Sequence, residues 1–594
     1  MTLFITDSSE KYLRTKEQHK LLLEGTIILK SSELPENEIH LFNNNNNNID
    51  AEAGEKMLAE LYELCEKLKI SEVKSNKFIE AVGSKNEKLF ALLYEFFSVE
   101  IIHKYLFSVL LEKFIAVANS KNITEIQLDF ENSDFSFFCP SLSSAFKGIK
   151  FISSTKKSPK KEAQKIKNVF KNLLFYTGFY AFKKVFSPSR NIVSDKKHIL
   201  LVIYNIEHHF QVLKAFFDLI NTNKNVHLSI VIFETKFDKS KKKSWREFKS
   251  ENIDLYFFSE FRKPLYKNSN KEFLQLMANS DLNFDLSRLE SGLRSAEIKY
   301  HWMDNLFTVL KPDVCFHLTT HEIGRIMANV ASYHKIPSLQ VDYALFSDWY
   351  TIESRIRFTV RASINEAMIE LWKKRNDPTP EHYAIGFCKL DSIKIPSLSK
   401  KEFLESNNFD FDRKTIFFAS TWFEKTEIYE IEKRILISML SEICHRNKFN
   451  LIIKKHPLEK DNIAIESINA NKYPFQKVFQ HFELSISDAV YYSDLVTNQM
   501  SSVVLECLYF EKPFYYLTTS ESSNQTETSL LKNEKFTHTF NIQEFDGFVS
   551  TIFDSGKINE FISQMKEKKE RYLYKTDGKA SSRLLELLMS IKFK

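Results

Sequence analysis

A strand-like run, Leu451-Ile452-Ile453-Lys454-Lys455, stops on His456-Pro457, and this stop constrains the chain more than any other feature. Further along, a second strand-like run over residues 494–500 opens into Ser501-Ser502 and a helical Val503-Val504-Leu505-Glu506. Lys512-Pro513 then leads into another apolar strand over 514–517. Strands alternating with helices through short loops build a parallel sheet with right-handed crossovers. Such a sheet gathers the loops that follow its strands along one edge, where ligands bind. An imidazole and two hydroxyls at a helix start make a seat for a phosphate or a nucleoside diphosphate.

The same rhythm begins earlier. His198-Ile199-Leu200-Leu201-Val202-Ile203-Tyr204 predicts a strand, followed by a helix over 210–220 and a strand over 226–233. Residues 312–318, 322–334 and 336–341 repeat strand, helix and strand. Residues 383–391 close this half. Residues 415–421 open the next, followed by a helix over about 428–444. Amphipathic helices over 558–574 and 581–591 close that half. Before residue 146 the chain predicts a small α/β domain, with short strands at 3–5, 26–29, 39–42 and 126–130 and helices over 51–68 and 87–118. It carries no chemistry-bearing motif.

Residues 146–195 differ from both parts. Over 146–190 lysines crowd against the single acid Glu162, interleaved with Phe170, Phe175, Tyr176, Phe179, Tyr180 and Phe182. A basic helix with an aromatic face suits an in-plane anchor on anionic lipid; a linker helix with solvated lysines is the alternative. The domains are therefore 1–145, an accessory α/β domain; 146–195, the basic aromatic linker; and 196–395 and 396–594, two α/β halves.

The composition excludes several classes. A net charge of +6 over 594 residues is too mild for a nucleic-acid binder. The 6 cysteines lie far apart with no CxxC pair, which fits reduced thiols and not a disulfide framework or zinc site. No basic and apolar leader begins the chain, and no apolar run reaches about 18 residues, so neither a signal peptide nor a spanning helix is expected. The 54 phenylalanines and the asparagine run 43–48 fit the codon bias of an AT-rich genome.

Lys455-His456-Pro457, Ser501-Ser502 with Glu506 and Pro513, Lys311-Pro312-Asp313, Ile336-Pro337, and Ile385-Gly386 with Leu390-Asp391 stand in an order that resembles the GT-B glycosyltransferases. Among these, the bacterial capsule glycosyltransferases, the polysialyltransferases and the CDP-glycerol glycerophosphotransferases are most similar, over about residues 198–590. The resemblance implies two Rossmann-like parallel-sheet domains facing a cleft, plus the N-terminal α/β domain. Two departures stand out. Many relatives place Gln-His-Gly after the Ile-Pro strand, where this chain has Gln340-Val341-Asp342-Tyr343. Glycerophosphotransferases show Asp-Tyr-Ser-Ser, where this chain has Thr497-Asn498-Gln499-Met500 before Ser501.

By this resemblance the C-terminal half holds a nucleotide-linked donor. Lys455, His456, Pro457, Ser501, Ser502 and Glu506 are the expected donor contacts, with His456 stabilising the leaving group and Glu506 on the ribose. The two serines are also expected to cap their helix. Transfer needs a base for the acceptor hydroxyl. Asp342 and Glu322 are the first candidates, with Glu207, His208 and His321 behind them. The spacing of His208, His209 and His321 is not that of a zinc helix, and Asp410-Phe411-Asp412 reads as a turn and not as a metal-binding Asp-x-Asp. The expected function is a metal-independent, inverting transfer of a sugar from a CMP-, UDP- or CDP-linked donor to a bacterial surface polysaccharide or lipid-linked glycan. The expected place is the cytoplasm, peripheral on the inner face of the cell membrane. No cofactor or nucleic acid is implied. A CDP-polyol phosphotransferase and an inactive GT-B scaffold are the alternatives.

Overall fold

The computed structural model describes residues 2–6, 27–28, 39–40, 125–129 and 150–153, and then 195–203, 206–233, 250–261, 286–318, 322–343, 357–374, 377–420, 427–456, 459, 461–499, 501–518, 531, 534, 539–553 and 556–593. The chain divides into two compact units, residues 1–57 with 99–195 and residues 58–98 with 196–594.

In the first unit, β1 (Thr2–Thr6), β2 (Ile27–Ile28), β3 (Ile39–His40), β4 (Glu125–Asp129) and β5 (Lys150–Ser153) form one parallel sheet in the order β3-β2-β1-β4-β5. Four of these are the expected strands. The fifth falls where the sequence suggests the basic linker, so that segment opens as sheet and not as linker. The aromatic positions of the linker, and the helices expected over 51–68 and 87–118, lie outside the described residues.

The second unit contains two parallel α/β lobes, the pair of Rossmann-like domains expected. The first lobe runs through β6 (Lys197–Ile203), α1 (Ile206–Thr222), β7 (Val226–Ile232), β8 (Ile253–Phe257), α2 (Leu286–Leu310), β9 (Val314–His317), α3 (Glu322–Tyr333), β10 (Ser338–Val341), β11 (Val360–Ser363), α4 (Glu366–Lys374) and β12 (Glu381–Ala384). Its sheet order is β12-β11-β10-β9-β6-β7-β8, with parallel pairing throughout. The central strands read as unbroken apolar runs because helices cover both faces. Ile199 to Ile203 are fully buried.

A short 3-10 turn, Cys388–Ser392, leads into the second lobe. This lobe holds α5 (Lys400–Ser406), β13 (Thr415–Ala419), α6 (Glu427–Arg446), β14 (Asn450–Lys454), α7 (Ile463–Asn471), β15 (Gln476–Phe479), α8 (Ile486–Tyr492), β16 (Leu495–Asn498), α9 (Val504–Phe510), β17 (Phe514–Thr518), β18 (Thr539–Asn541), α10 (Ile542–Ile552) and α11 (Lys557–Leu573). The order is β15-β14-β13-β16-β17-β18, again parallel. Helix α5 starts on a capping box in which Ser399 accepts from Glu402 N and Glu402 answers Ser399 N. Helix α9 stops on Glu511 in the left-handed region, and Pro513 follows. Pro513 still gives its carbonyl to Val496 N (2.8 Å), so the missing N–H costs the sheet nothing there.

One further helix, α12 (Ala580–Ser590), does not close the second lobe as the sequence suggests. Its residues Ala580, Leu584, Leu585 and Leu588 belong to the apolar core of the first lobe, with Ile199, Phe216 and Leu339. The reason lies in the Ile385-Gly386 and Leu390-Asp391 pairs. Asp391 accepts from the backbone N–H groups of Ala580 (3.2 Å) and Ser581 (2.6 Å), tying down the start of α12. Arg583 donates to the Ile385 carbonyl at 2.8 Å. Gly386 sits at φ +88, and a Cβ there would lie 3.1 Å from the Arg583 guanidinium and 3.2 Å from Ala580 Cβ. Asp410-Phe411-Asp412 is a turn, as read: Asp410 accepts from Asp412 N and from Arg413 Nε, both at 3.0 Å.

Candidate functional site

Each lobe's sheet reverses direction once. In the second lobe the chain runs outward from β13 to β14 and β15, then returns to the other side of β13 for β16. The loops after β14 and β16 therefore leave on either side of the β13 end, the general ligand position in such sheets. The pairing Lys454–Ala419–Asn498 makes one row across the three strand ends. His456 lies two residues past this row on one side, and Ser501 three past it on the other. With neighbouring strands about 4.8 Å apart, the two outer strands are about 10 Å apart. The sequence-distant His-Pro and Ser-Ser elements thus flank one strand end.

The His456 loop is held from beneath by buried charge. Lys433 of α6 pairs with Glu459 (2.7 Å) and with Asp461 (3.1 Å). Glu459 also accepts from His456 N at 3.1 Å and returns its own N–H to the His456 carbonyl at 3.0 Å. His456 itself is half-buried. Lys455, expected on the donor, instead turns back to the Asp461 carbonyl (2.5 Å) and braces the loop. Successive strand residues point to opposite faces, so Lys454 and not Lys455 shares a face with Ala419 and Asn498. Pro457 lies outside the described residues.

Lys454 is buried and donates to the His481 carbonyl at 2.8 Å. Burial and then the charge of Lys389 bring its ammonium down from the ordinary lysine range to about 8. Lys389 belongs to the 3-10 turn between the lobes, and its ammonium contacts the Glu506 carboxylate on α9. Glu506, expected on a ribose, is almost completely buried in this ion pair. Ser501 and Ser502 do not cap α9. The N-cap position is Val503, without a side-chain bond, because the turn closes one residue later than the serines. Ser501 Oγ accepts from Val503 N at 3.3 Å, and Ser502 is exposed.

Two more polar groups stand at these strand ends. Asn498 is fully buried, and neither its Oδ1 nor its Nδ2 has a hydrogen-bond partner. Ser420, just past Ala419, has a buried Oγ in the same condition. Sequence reasoning passed over Lys389, Ser420, Lys454 and Asn498. Only the strand register, which aligns Lys454 with Asn498, was available to find any of them.

In the first lobe the switch point lies between β6 and β9. Glu207, His208 and His209 stand in the first turn of α1, directly after β6, and Glu322 opens α3 after β9. His209 is buried and meets Tyr343 edge-on at 5.8 Å. Tyr343 packs against the cores of both lobes, so this strand end abuts the second lobe. His321 lies outside the described residues. Asp342 takes a different place from the one its sequence position suggests. Its side chain is fully enclosed, with Trp372 Nε1 donating at 3.0 Å, Gln340 Nε2 at 3.3 Å and the Arg361 guanidinium 4.0 Å away. Burial raises its carboxyl to about 6 against the opposing pull of Arg361. A base must reach the proton it takes, and this carboxylate is occupied in a buried network that Arg361 extends to Asp377 at 2.5 Å. Asp342 is thus enclosed at the end of β10 by Gln340, Trp372 and Arg361.

Among the described residues no group of three or more His, Cys, Asp or Glu side chains is placed to hold a metal ion. Among them, no helix is long and apolar enough to cross a membrane.

No curated protein matches the chain. Solved structures align at low identity. A UDP-GlcNAc 2-epimerase from Neisseria meningitidis bound to UDP-GlcNAc shares 12% identity over 66% of this chain and 100% of its own, with a TM-score of 0.45. A putative UDP-N-acetylglucosamine 2-epimerase from Listeria monocytogenes shares 12% over 66% and 96%, at 0.46. A UDP-glucosyltransferase from Polygonum tinctorium shares 9% over 67% and 100%, at 0.43. Residues 353–590 match the family model of the CDP-Glycerol:Poly(glycerophosphate) glycerophosphotransferases, which spans the inter-lobe turn, the His456 loop and the Ser501-Ser502 turn. Through the segment that carries these loops, this chain is therefore similar to the CDP-glycerol:poly(glycerophosphate) glycerophosphotransferases, one of the transferase families its sequence resembles.

Proposed function

We propose that this protein is a transferase that seats a nucleoside-diphosphate-linked donor at the β13 switch point and passes the activated group to a hydroxyl of a growing bacterial surface polymer. The observation that carries the reading is the meeting of the His456 loop and the Ser501-Ser502 turn around one strand end, with Lys454 and Lys389 in electrostatic reach of each other. Lys389 already has the Glu506 carboxylate, whereas Lys454 meets only the neutral His481 carbonyl, and a buried cation is costly without an anion. A diphosphate supplies that anion.

The family match favours a CDP-polyol as the donor. The acceptor oxygen would then attack the phosphorus that bears the polyol, the bond from that phosphorus to the bridging oxygen would break, and CMP would leave with the electron pair. His456 and Lys454 would meet the charge that develops on the leaving phosphate. The acceptor proton would pass to a base on the first lobe, with Glu322, Glu207 and His208 the candidates at the strand ends there. A nucleotide sugar is the second reading, favoured by Gln499-Met500 standing before Ser501-Ser502 where the glycerophosphotransferase motif has Asp-Tyr. In that case the acceptor oxygen attacks the anomeric carbon and the nucleoside diphosphate leaves.

His456→Ala tests the site. Transfer should fall at least a hundredfold with an unchanged melting temperature, a loss within the range of a removed acid or electrostatic group. Full activity in that variant would remove His456 from the chemistry. Incorporation of label from CDP-glycerol, or instead from CMP-, UDP- or CDP-linked sugars, separates the two donors. Failure of every such donor to label polymer, with no binding of CMP, CDP or UDP, would leave the inactive scaffold.

A further inference from the structure

Asn498 is the least explained polar side chain in the second lobe. Its amide can donate two hydrogen bonds and accept two, yet it is fully enclosed and makes none. A buried amide left unpaired is destabilising, and native proteins rarely tolerate one without a reason. Its neighbours suggest the reason. In a parallel ladder, paired residues share a face of the sheet, so Lys454, Ala419 and Asn498 project together from the same side. The residue between the lysine and the amide is an alanine, whose methyl leaves the middle of the row low. Lys454 lies close enough to Lys389 to feel its charge. Ser420 Oγ, at the same strand end, is also buried and unpaired.

We propose that Asn498 is a specificity-determining residue for the donor, its Nδ2 donating to a phosphate oxygen and its Oδ1 accepting from a neighbouring hydroxyl of the same molecule. The inference rests on the transferase reading above and deepens it. The two halves of the amide match the two halves of a phosphate ester of an alcohol. Lys454 neutralises the phosphate across the alanine gap. The uncharged amide matters here. An aspartate in its place would keep the acceptor, lose the donor and set a carboxylate against the phosphate.

Titration calorimetry with CDP as the probe tests this, alongside thermal melts without ligand. The proteins are the full chain, Asn498→Leu and Asn498→Asp. In the wild type, CDP binds. Asn498→Leu should melt no lower than wild type, because it removes an unpaired amide without opening a cavity. It should nonetheless bind CDP at least tenfold more weakly, the loss expected of one or two polar contacts to a charged group. Asn498→Asp should weaken CDP at least as much. Affinities within twofold of wild type in either variant overturn the inference. So does a leucine variant that melts lower without ligand, since that marks an amide serving the fold. If the leucine variant does not fold, the aspartate variant decides. If wild type binds none of CMP, CDP and UDP, the transferase reading itself has failed, a result distinct from equal binding by wild type and variants.

Discussion

The two lysines of the candidate site make its affinity depend on pH in a definite direction. Lys454 titrates near 8, lowered by burial and then by Lys389. It is charged below that pH and neutral above it, so an anionic nucleotide should bind well at pH 7 and lose affinity as pH rises through 8. Lys389→Gln removes one of the two depressing causes. In that variant the midpoint of the loss should move upward, while affinity at pH 7 falls because one cation is gone. Calorimetry with CDP between pH 7 and 9.5 reads both effects, and a midpoint that stays put would exclude coupling of the two ammoniums. Asp342 belongs to the same scale with the opposite expectation. Asn can still accept from Trp372, so Asp342→Asn should keep at least a tenth of the wild-type turnover. A loss of a thousandfold would return the carboxylate to the chemistry. The residue scale is also where the sequence misled most. The lysine adjacent to the His-Pro dipeptide drew attention, but strand alternation hands the site to the one before it.

At the scale of elements, legibility followed burial. Strands β6, β13, β14 and β16 lie inside their sheets and read as apolar runs, so the sequence reveals them. Strand β11 spells Val-Arg-Ala-Ser and was missed, because its Arg361 is buried by pairing with Asp377 and by stacking 4.1 Å over Trp372. Strands β8, β12 and β15 sit at sheet edges, where one side meets water and polar residues interrupt the pattern. The turn around Gly386 shows how a weak motif can have a structural cause. Gly386→Ala places a methyl against Arg583 and Ala580 at a backbone angle that disfavours it, and should cost about 1–3 kcal/mol. Urea unfolding measures the cost. Amide exchange over residues 580–590 should quicken, since the same contacts hold the start of α12.

The whole second unit depends on a contact that no local pattern foretells. The sequence marks α12 as amphipathic but does not say which core its apolar face joins. Sequence order argued for the second lobe, and the structure assigns it to the first. The second lobe answers in kind, since its core takes in Val212 of α1 and Ile364 and Ala367 around α4. Asn365 also donates to the Tyr572 carbonyl at 2.7 Å, and Arg571 pairs with Glu370 at 2.8 Å. The lobes are thus interleaved. Cutting the chain after Tyr574 should uncover apolar surface on the first lobe and lower its melting temperature, though residues 196–395 are all retained. Calorimetric scans of the cut and intact proteins would show this, and an unmoved first-lobe transition would mean the helix is dispensable.

Lys197, at the start of β6, gives its ammonium to the carbonyl of Met589 at 2.8 Å, across 392 residues. Because α12 also packs into the first lobe's core, that lobe waits during synthesis, its surface open, until the ribosome has released nearly the whole second lobe. A stalled or prematurely terminated polypeptide would leave that face bare to chaperones and proteases. Quality control is in this sense written into the route of the chain: a half-made protein cannot pass for a finished one.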